Sequence, residues 1–246
     1  MKELKILYLY PDILELYGDY GNIQVLKYRL EKRGYKAIIE KYSIGDKAPD
    51  FKNYDLVFAG GGADQEQSIL AKDLIKYKDN IKEAVNNGVF FLLICGAYQL
   101  FGKYYKGVEG NIIPGLEIFN YYTEAIENRK KRCIGNIVIE ANLNGEKTKI
   151  IGFENHGGQT FDIDTPFGDV LFGNGNKFGD SKEGFFLKNV IATYLHGPLL
   201  SKNPELADYI ISHCLNRKYN EDIKLEPLND DFENLCRKQL LDNFLN

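Results

Sequence analysis

Apolar residues along the chain fall into short unbroken runs, and between the runs they recur at helical spacing. Short apolar runs are typical of strands buried on both faces, whereas recurrence every three or four residues indicates helices with one buried face. Glycine or asparagine follows most of these segments and marks their ends. Strands are predicted at residues 4–10, 36–42, 55–59, 90–94 and 190–195, and helices at 22–32, 66–87, 203–216 and 230–244.

The order of these elements predicts the fold class. Strands that alternate with helices are typical of an α/β protein with a doubly wound, mostly parallel sheet flanked by helices. After Gly107 the pattern changes to short runs separated by Gly and Asn, which indicates additional antiparallel strands. We therefore expect one domain over residues 1–246, with a β-rich inserted region around 110–190. Asn22 is expected to cap the first helix, and a break in the second is expected near Asp79-Asn80.

Composition excludes some classes of protein. The chain has 246 residues, is 44% hydrophobic and carries a net charge of −4, with one short basic cluster at 129–132. That distribution argues against nucleic acid as the main partner. The sequence contains no apolar stretch long enough to span a membrane, and its first residues do not resemble a signal peptide. We expect a cytoplasmic protein without membrane insertion.

The four cysteines, Cys95, Cys133, Cys214 and Cys236, are scattered and form no CxxC pair. In a reducing compartment this pattern predicts free thiols, with no structural zinc site and no other metal site. No cofactor is expected either.

Cys95 follows the apolar run FFLLI and precedes Gly96-Ala97. Small residues after a buried strand favour a sharp turn into a helix, and a nucleophile at such a turn is exposed above the sheet with helix N–H groups near it. A thiol there is suited to attack a carbonyl carbon. The alternative is a small buried core residue, because free cysteines are often buried. This segment alone leaves both interpretations open.

His196 also follows a predicted strand, so its side chain is expected near Cys95 at the carboxyl edge of the sheet. An imidazole there would supply the base that a thiol nucleophile needs. Gly60-Gly61-Gly62 end the strand before that of Cys95 and would let backbone N–H groups approach an oxyanion. Gln99, one turn past Cys95, could reach a bound amino acid. The alternative is that Gln99 occupies an ordinary exposed position of the helix.

Four segments resemble known families. CGAYQ at 95–99 is similar to the nucleophile turn of class I glutamine amidotransferases, in the branch that includes the cobyric acid synthase (CobB/CobQ-type) glutaminases. YGDYGNI at 17–23, GFENHGG at 152–158 and TYLHGPLL at 193–200 resemble segments of the glutaminase subunits of lipid II isoglutaminyl synthase. The matches extend over most of the chain. The resemblance implies the class I amidotransferase fold and an enzyme that hydrolyses L-glutamine.

The resemblance also implies roles for single residues. Cys95 would attack the amide of glutamine to form a thioester, and His196 would protonate the departing ammonia. Backbone N–H groups of Gly61 or Gly62 and of Gly96 would hold the oxyanion. Arg132 resembles a family arginine that handles glutamine, and Gln99 would also contact the substrate. A solvated position is equally open for Arg132, and Arg129 is its rival.

Two features depart from the pattern or leave a role open. Many class I enzymes carry a Glu two residues after the catalytic His, where this chain has Pro198. Asp19 and Glu154 are the candidates for the carboxylate that would complete a catalytic triad with Cys95 and His196 from another part of the chain. We interpret His156, in the GFENHGG segment, as structural or as a contact for a partner rather than as a base.

The same resemblance implies a partner. In the family, ammonia passes to a MurT-like, ATP-dependent Mur-ligase subunit, in a heterodimer that amidates D-glutamate of the lipid II peptidoglycan stem. The chain has no GxxxxGK[ST] run, so ATP activation is expected in the partner, through which lipid II would be engaged. The alternatives are the glutaminase of another cobyric-acid-synthase-like amidotransferase, or a catalytically silent binding subunit.

Overall fold

The structure, a computed structural model, describes residues 1–62 and 64–245, except for the side chains at positions 16, 64, 65 and 129. Its helices follow the predicted order, including the short helix expected after Cys95, but the second predicted helix is divided into two. In chain order they are α1 (Tyr20–Lys32), α2 (Asp64–Leu74), α3 (Lys78–Asn86), α4 (Gly96–Leu100), α5 (Pro204–Tyr219) and α6 (Asp231–Leu245).

The strands of the described ranges form three sheets, of six, four and four strands. In chain order they are β1 (Glu3–Leu9), β2 (Lys36–Tyr42), β3 (Leu56–Ala59), β4 (Phe90–Ile94), β5 (Tyr104–Lys106), β6 (Ile112–Pro114), β7 (Tyr122–Ala125), β8 (Cys133–Leu143), β9 (Glu146–His156), β10 (Gly158–Phe161), β11 (Gly168–Phe172), β12 (Lys182–Glu183), β13 (Phe185–Leu187) and β14 (Val190–Thr193).

The six-stranded sheet has the order β13-β14-β4-β3-β1-β2. All neighbours from β14 to β2 are parallel, and β13 pairs with β14 in the antiparallel direction. Strands β3, β4 and β14 are buried throughout, as expected for a parallel sheet covered on both faces. The predicted doubly wound α/β fold is therefore confirmed.

The register of this sheet brings two predicted site residues to one edge. Ile94, the last residue of β4, pairs with Thr193, the last residue of β14. Cys95 follows the first of these strands directly, and His196 follows the second after two more residues. Because parallel strands end at the same edge, both residues lie at the carboxyl end of the sheet.

Two local predictions are wrong. Helix α1 begins at Tyr20, so Asn22 lies inside it, and the Asn22 Oδ1 accepts a hydrogen bond from Leu200 N at 2.9 Å instead of capping the helix. The second helix is interrupted at Ile75–Tyr77 rather than near Asp79-Asn80. Asp79 lies instead in the first turn of α3, where an acidic side chain is favoured by the helix dipole.

The predicted β-rich region contains strands β6 to β13, between Ile112 and Leu187. Its longest element is the antiparallel hairpin β8–β9, which pairs from Cys133↔His156 to Leu143↔Glu146. Phe153 of β9 exchanges both backbone hydrogen bonds with His196, at 2.8 and 3.1 Å. The hairpin therefore fixes the chain that follows β14. Among the described helices, none is long and apolar enough to cross a membrane.

Candidate active site

Cys95 occupies a strained turn between β4 and α4. Its φ is 51° and its ψ is −102°, a combination that L residues rarely adopt. Two hydrogen bonds hold the turn: Cys95 N donates to Thr193 O at 2.8 Å, and Gln99 N donates to Cys95 O at 3.0 Å. The side chain is 8% exposed and lines a pocket. This is the geometry of a nucleophile turn at the end of a parallel strand.

The imidazole of His196 is fully buried beside Cys95. A Cβ built on Gly61 would lie 2.8 Å from His196 Cε1 and 3.2 Å from Cys95 Cβ, so Gly61 fills the space next to both side chains. His196 Nε2 has no hydrogen-bond partner among the described residues, which leaves it free to act on the thiol.

Asp19 lies on the other side of His196. Its carboxylate is fully buried, with Oδ1 3.4 Å from His196 Nδ1. Its other oxygen, Oδ2, accepts a hydrogen bond from Gly61 N at 2.9 Å. Asp19 immediately precedes α1 but makes no side-chain cap there. The carboxylate thus contacts His196 and Gly61 instead of its own helix.

The charges around His196 favour its protonated form. Burial alone would lower the pKa of His196, but the negative charges of Cys95 and Asp19 outweigh that effect and raise the pKa to about 10. An imidazolium beside a thiolate is the form in which Cys–His nucleophiles react.

The pocket that reaches Cys95 has a volume of about 680 Å³, within the range of small-molecule sites. Arg132, Gln99 and Gly62 line it together with Cys95. Gln99 is 3% exposed, so the interpretation of an exposed helix position is wrong. Its Oε1 accepts from Gln67 Nε2 at 2.8 Å, and its Nε2 donates to Tyr194 OH at 3.1 Å. Its orientation is therefore fixed.

A chain of contacts joins Arg132 to His196 across this pocket. Arg132 donates from Nε and Nη2 to Asn155 Oδ1 at 3.1 and 3.0 Å, and Asn155 Nδ2 donates to Tyr17 OH at 2.5 Å. The Tyr17 ring meets the His196 ring edge-on, with the centroids 4.8 Å apart. Tyr17 is 42% exposed and has φ +64°, so a strained residue covers the buried imidazole.

The glycines named from the sequence differ in what their N–H groups contact. The Gly61 N–H is donated to Asp19, so it does not face the pocket as an oxyanion donor would. A Cβ built on Gly96 would lie 3.2 Å from Gly62 N, which puts these two glycines in contact beside Cys95. Of the predicted oxyanion donors, Gly62 and Gly96 therefore remain as candidates.

Glu154 and His156 lie at the end of β9, and their hydrogen bonds are to residues other than His196. Glu154 accepts hydrogen bonds from Asn174 and from Gly175 N, and burial raises its pKa. His156 contributes to the pocket lining, and burial lowers its pKa to about 3, so it is neutral near pH 7. Of the two candidates for the third triad member, Asp19 is the one in contact with His196. The side chain of Arg129, the rival of Arg132, lies outside the described residues.

Two further buried residues near the site, Glu183 and Tyr194, are not among the site residues predicted from the sequence. Glu183 accepts hydrogen bonds from Tyr194 N at 2.7 Å and from Thr193 Oγ1 at 2.9 Å, and burial raises its pKa to about 8. The Tyr194 OH contacts Gln99 and, at 2.6 Å, Thr160 Oγ1. Both residues support the segment that leads from β14 to His196.

Comparison with known proteins identifies the family. Residues 5–204 match the model of the CobB/CobQ-like glutamine amidotransferase domain. The chain belongs to the CobB/CobQ-like glutamine amidotransferase family. Within this family it groups with subunits named lipid II isoglutaminyl synthase (glutamine-hydrolyzing) subunit GatD. It is 42% identical to that of Staphylococcus aureus, over 98% of this chain and 96% of the relative, and 41% identical to that of Streptococcus pneumoniae, over 93% and 86%.

A solved structure shares the fold of this chain. PurLQS from Thermotoga maritima superposes with a TM-score of 0.54 at 18% identity, over 90% of this chain and 100% of that chain. At this identity the likeness concerns the fold alone. The family assignment rests on the match at 5–204 and on the two GatD relatives, both of which are aligned over segments that contain Cys95, Asp19 and His196.

Proposed function

We propose that this chain is the glutaminase subunit of a lipid II isoglutaminyl synthase, and that it hydrolyses L-glutamine to glutamate and ammonia. The observation that carries the proposal is the Cys95–His196–Asp19 arrangement at the base of a pocket lined by Arg132 and Gln99. The identity to two GatD subunits supports the subunit type.

In the first half of the proposed reaction, the Cys95 thiolate attacks the side-chain amide carbon of glutamine. The N–H groups of Gly62 and Gly96 stabilise the negative charge that develops on the amide oxygen. The protonated His196 then gives its proton to the amide nitrogen, because its raised pKa keeps that proton available at neutral pH. The C–N bond breaks, ammonia leaves, and a thioester remains on Cys95.

In the second half, His196 is neutral and takes a proton from a water molecule that attacks the thioester carbon. The C–S bond then breaks, glutamate leaves, and the thiolate is restored beside the imidazolium. Asp19 holds the Nδ1–H of His196 in both halves, so that Nε2 always faces the reacting atoms. Arg132 would hold the α-carboxylate of glutamine through its planar fork.

The proposal includes a partner. The ammonia would be used by a MurT-like, ATP-dependent Mur-ligase subunit that amidates D-glutamate of the lipid II stem in a heterodimer. Both relatives are named as subunits, which supports an assembly of this kind. We propose a cytoplasmic location, which fits the four free cysteines.

Glutamate release from L-glutamine tests the proposal, measured on the chain alone and on the chain together with a MurT-like Mur-ligase protein. Cys95→Ala and His196→Ala should each reduce the rate by at least about 10³-fold. A diazo-ketone analogue of glutamine should add its mass to Cys95 in the native protein. Undiminished glutamate release by either variant would exclude the mechanism.

Matched controls separate catalysis from folding. Cys214→Ser changes another buried cysteine in α5, and His213→Gln changes the histidine next to it. Both should retain wild-type rates per folded molecule. If neither preparation of the native protein releases glutamate and Cys95 resists the analogue in both, the chain is a silent binding subunit instead.

A further inference from the structure

The hairpin β8–β9 carries three metal-ligating side chains on one face at its open end. Cys133 pairs directly with His156 across the ladder, and Glu154 lies two residues before His156 on the same strand. Since side chains alternate between the faces of a strand, Glu154 and His156 point to the same side, and a directly paired residue points there too. The register alone therefore brings Cys133, Glu154 and His156 together.

The three side chains are close enough to share one ion. One ligand atom from each lies within 4.8 Å of the others, and His156 Nε2 is 4.0 Å from Glu154 Oε2. Zinc is held by sulfur, nitrogen and oxygen ligands at about 2.0–2.3 Å, so ligand atoms around it are about 3.5 Å apart. To reach that geometry, the present separations need to shorten by about 1.3 Å or less. All three residues are buried.

His156 presents an unshared lone pair to this cluster. Its Nδ1 lies 2.7 Å from Gly158 O, and because a carbonyl only accepts, Nδ1 carries the hydrogen. Nε2 is then the acceptor nitrogen, yet it has no hydrogen-bond partner among the described residues although the side chain is 98% buried. The ring is held in place by stacking on Tyr194, with centroids 3.6 Å apart. A histidine whose other ring nitrogen bonds a carbonyl is the usual form of a metal ligand.

The other two residues have outer hydrogen bonds that would orient them as ligands. Asn174 and Gly175 N donate to the two oxygens of Glu154 at 2.8 to 3.1 Å. The amide of Gln159 donates to Cys133 Sγ at 3.8 Å. Such second contacts fix the direction of a ligand and strengthen metal binding.

We propose that Cys133, Glu154 and His156 form a binding site for one zinc-class divalent cation. A thiolate, an imidazole and a carboxylate suit Zn²⁺ and do not suit Mg²⁺ or Ca²⁺, which prefer oxygen ligands only. Water from the pocket, which His156 lines, would complete the coordination. The absence of a CxxC pair does not exclude this site, because its ligands come from two different strands.

The bound ion would link β8 to β9 at the open end of the hairpin, next to the glutamine pocket. His156 stacks on Tyr194, whose hydroxyl binds Gln99 in that pocket, so the two sites share a wall. The metal site does not depend on the proposed glutaminase activity, since it uses none of the residues assigned to catalysis.

Titration of the full chain with Co²⁺ tests the proposal, because a cobalt–thiolate bond gives a charge-transfer band in the near ultraviolet. The titration uses a Cys95→Ala, Cys236→Ser background, so that neither the nucleophile nor the exposed cysteine can supply a thiolate. We expect saturation at about one equivalent, and displacement of the band by Zn²⁺. Adding Cys133→Ser should abolish the band, and adding His156→Gln should weaken binding at least about 100-fold.

Cys214→Ser in the same background is the matched control, because Cys214 is also buried but lies in α5. It should leave the titration unchanged. X-ray absorption of the zinc-loaded background protein gives a second measurement that needs no ligand variant, and we expect one sulfur and otherwise nitrogen or oxygen neighbours. Absence of a saturable band, a band that survives Cys133→Ser, or zinc without a sulfur neighbour would each overturn the site.

Discussion

The carboxylate of Asp19 joins the imidazole of His196 to the backbone of Gly61. One oxygen lies 3.4 Å from His196 Nδ1, and the other accepts the Gly61 N–H at 2.9 Å. The three groups come from the start of α1, the end of β3 and the segment after β14. A carboxylate close to the N-terminus is therefore in contact with His196, whereas the position two residues after His196 is Pro198.

This relationship predicts the effect of Asp19→Asn. The asparagine has only one accepting oxygen, so either Gly61 N–H or His196 Nδ1–H would face its NH₂ group. We expect kcat for glutamate release to fall by about 10²- to 10⁴-fold with a smaller change in KM. The pKa of His196 should also fall, because Asp19 is one of the charges that raise it. Steady-state rates from pH 6 to 10 measure both effects.

The control for this variant is Glu15→Gln, which removes a carboxylate that is near in sequence but exposed. It should leave kcat and the pH profile unchanged. If Asp19→Asn behaves like Glu15→Gln, the carboxylate has no part in orienting His196.

Gly61→Ala tests whether the space next to His196 and Cys95 must stay free of a side chain for catalysis. The added Cβ would lie 2.8 Å from Cε1 of the His196 ring. Asp19 contacts this ring, and Phe153 binds the backbone of His196 on both sides. We expect the ring to be displaced and kcat to fall at least about 10²-fold, because small displacements of catalytic groups have effects of this size. Nuclear magnetic resonance of the His196 ring would report the displacement directly.

Gly45→Ala is the matched control for that substitution. Gly45 has φ +98°, and nothing lies within 4 Å of its built Cβ. Alanine there should lower the free energy of unfolding by about 1 kcal/mol without changing kcat. Equal losses of activity in the two variants would show that destabilisation, and not the position of His196, is responsible.

The sequence predicts the sheet and the two strand ends well because local patterns encode them. The apolar runs of β3, β4 and β14 are short and bounded by Gly, Asn or Asp, which favours buried strands, and small residues after Cys95 favour its turn. Contacts between distant segments are different. Asp19 reaches His196 over 177 positions, and only the fold shows that its carboxylate bonds Gly61 instead of capping α1. For the same reason the sequence could not decide between Asp19 and Glu154, nor between a buried and an exposed Gln99.

Arg132→Lys tests the proposed contact with the α-carboxylate of glutamine. Arg132 now uses Nε and Nη2 on the single oxygen Oδ1 of Asn155, and a lysine cannot reproduce that planar fork. We expect KM for glutamine to rise about 10- to 100-fold, which corresponds to the loss of one charged hydrogen bond, with kcat changed much less. Lys131→Gln, which removes a neighbouring exposed cation, is the control and should leave KM unchanged. A fall in kcat at constant KM would assign Arg132 to the chemical step instead.

The raised pKa of Glu183 should make the free energy of unfolding depend on pH. Burial raises its pKa from 4.5 to about 8, so the folded state holds its proton more tightly than the unfolded state. The stabilisation from Glu183 is therefore complete below about pH 4.5 and is lost as the pH rises through about 8. In Glu183→Gln this loss is absent, while the opposite contribution of His156, whose pKa is lowered to about 3, is the same in both proteins.

Between pH 5.5 and 7.5 the free energy of unfolding of the wild type should fall by about 3 kcal/mol relative to the variant, as measured by urea denaturation. Glu146→Gln, at an exposed position, should follow the wild type, and parallel curves for wild type and Glu183→Gln would mean that Glu183 is ionised in the folded protein over this range.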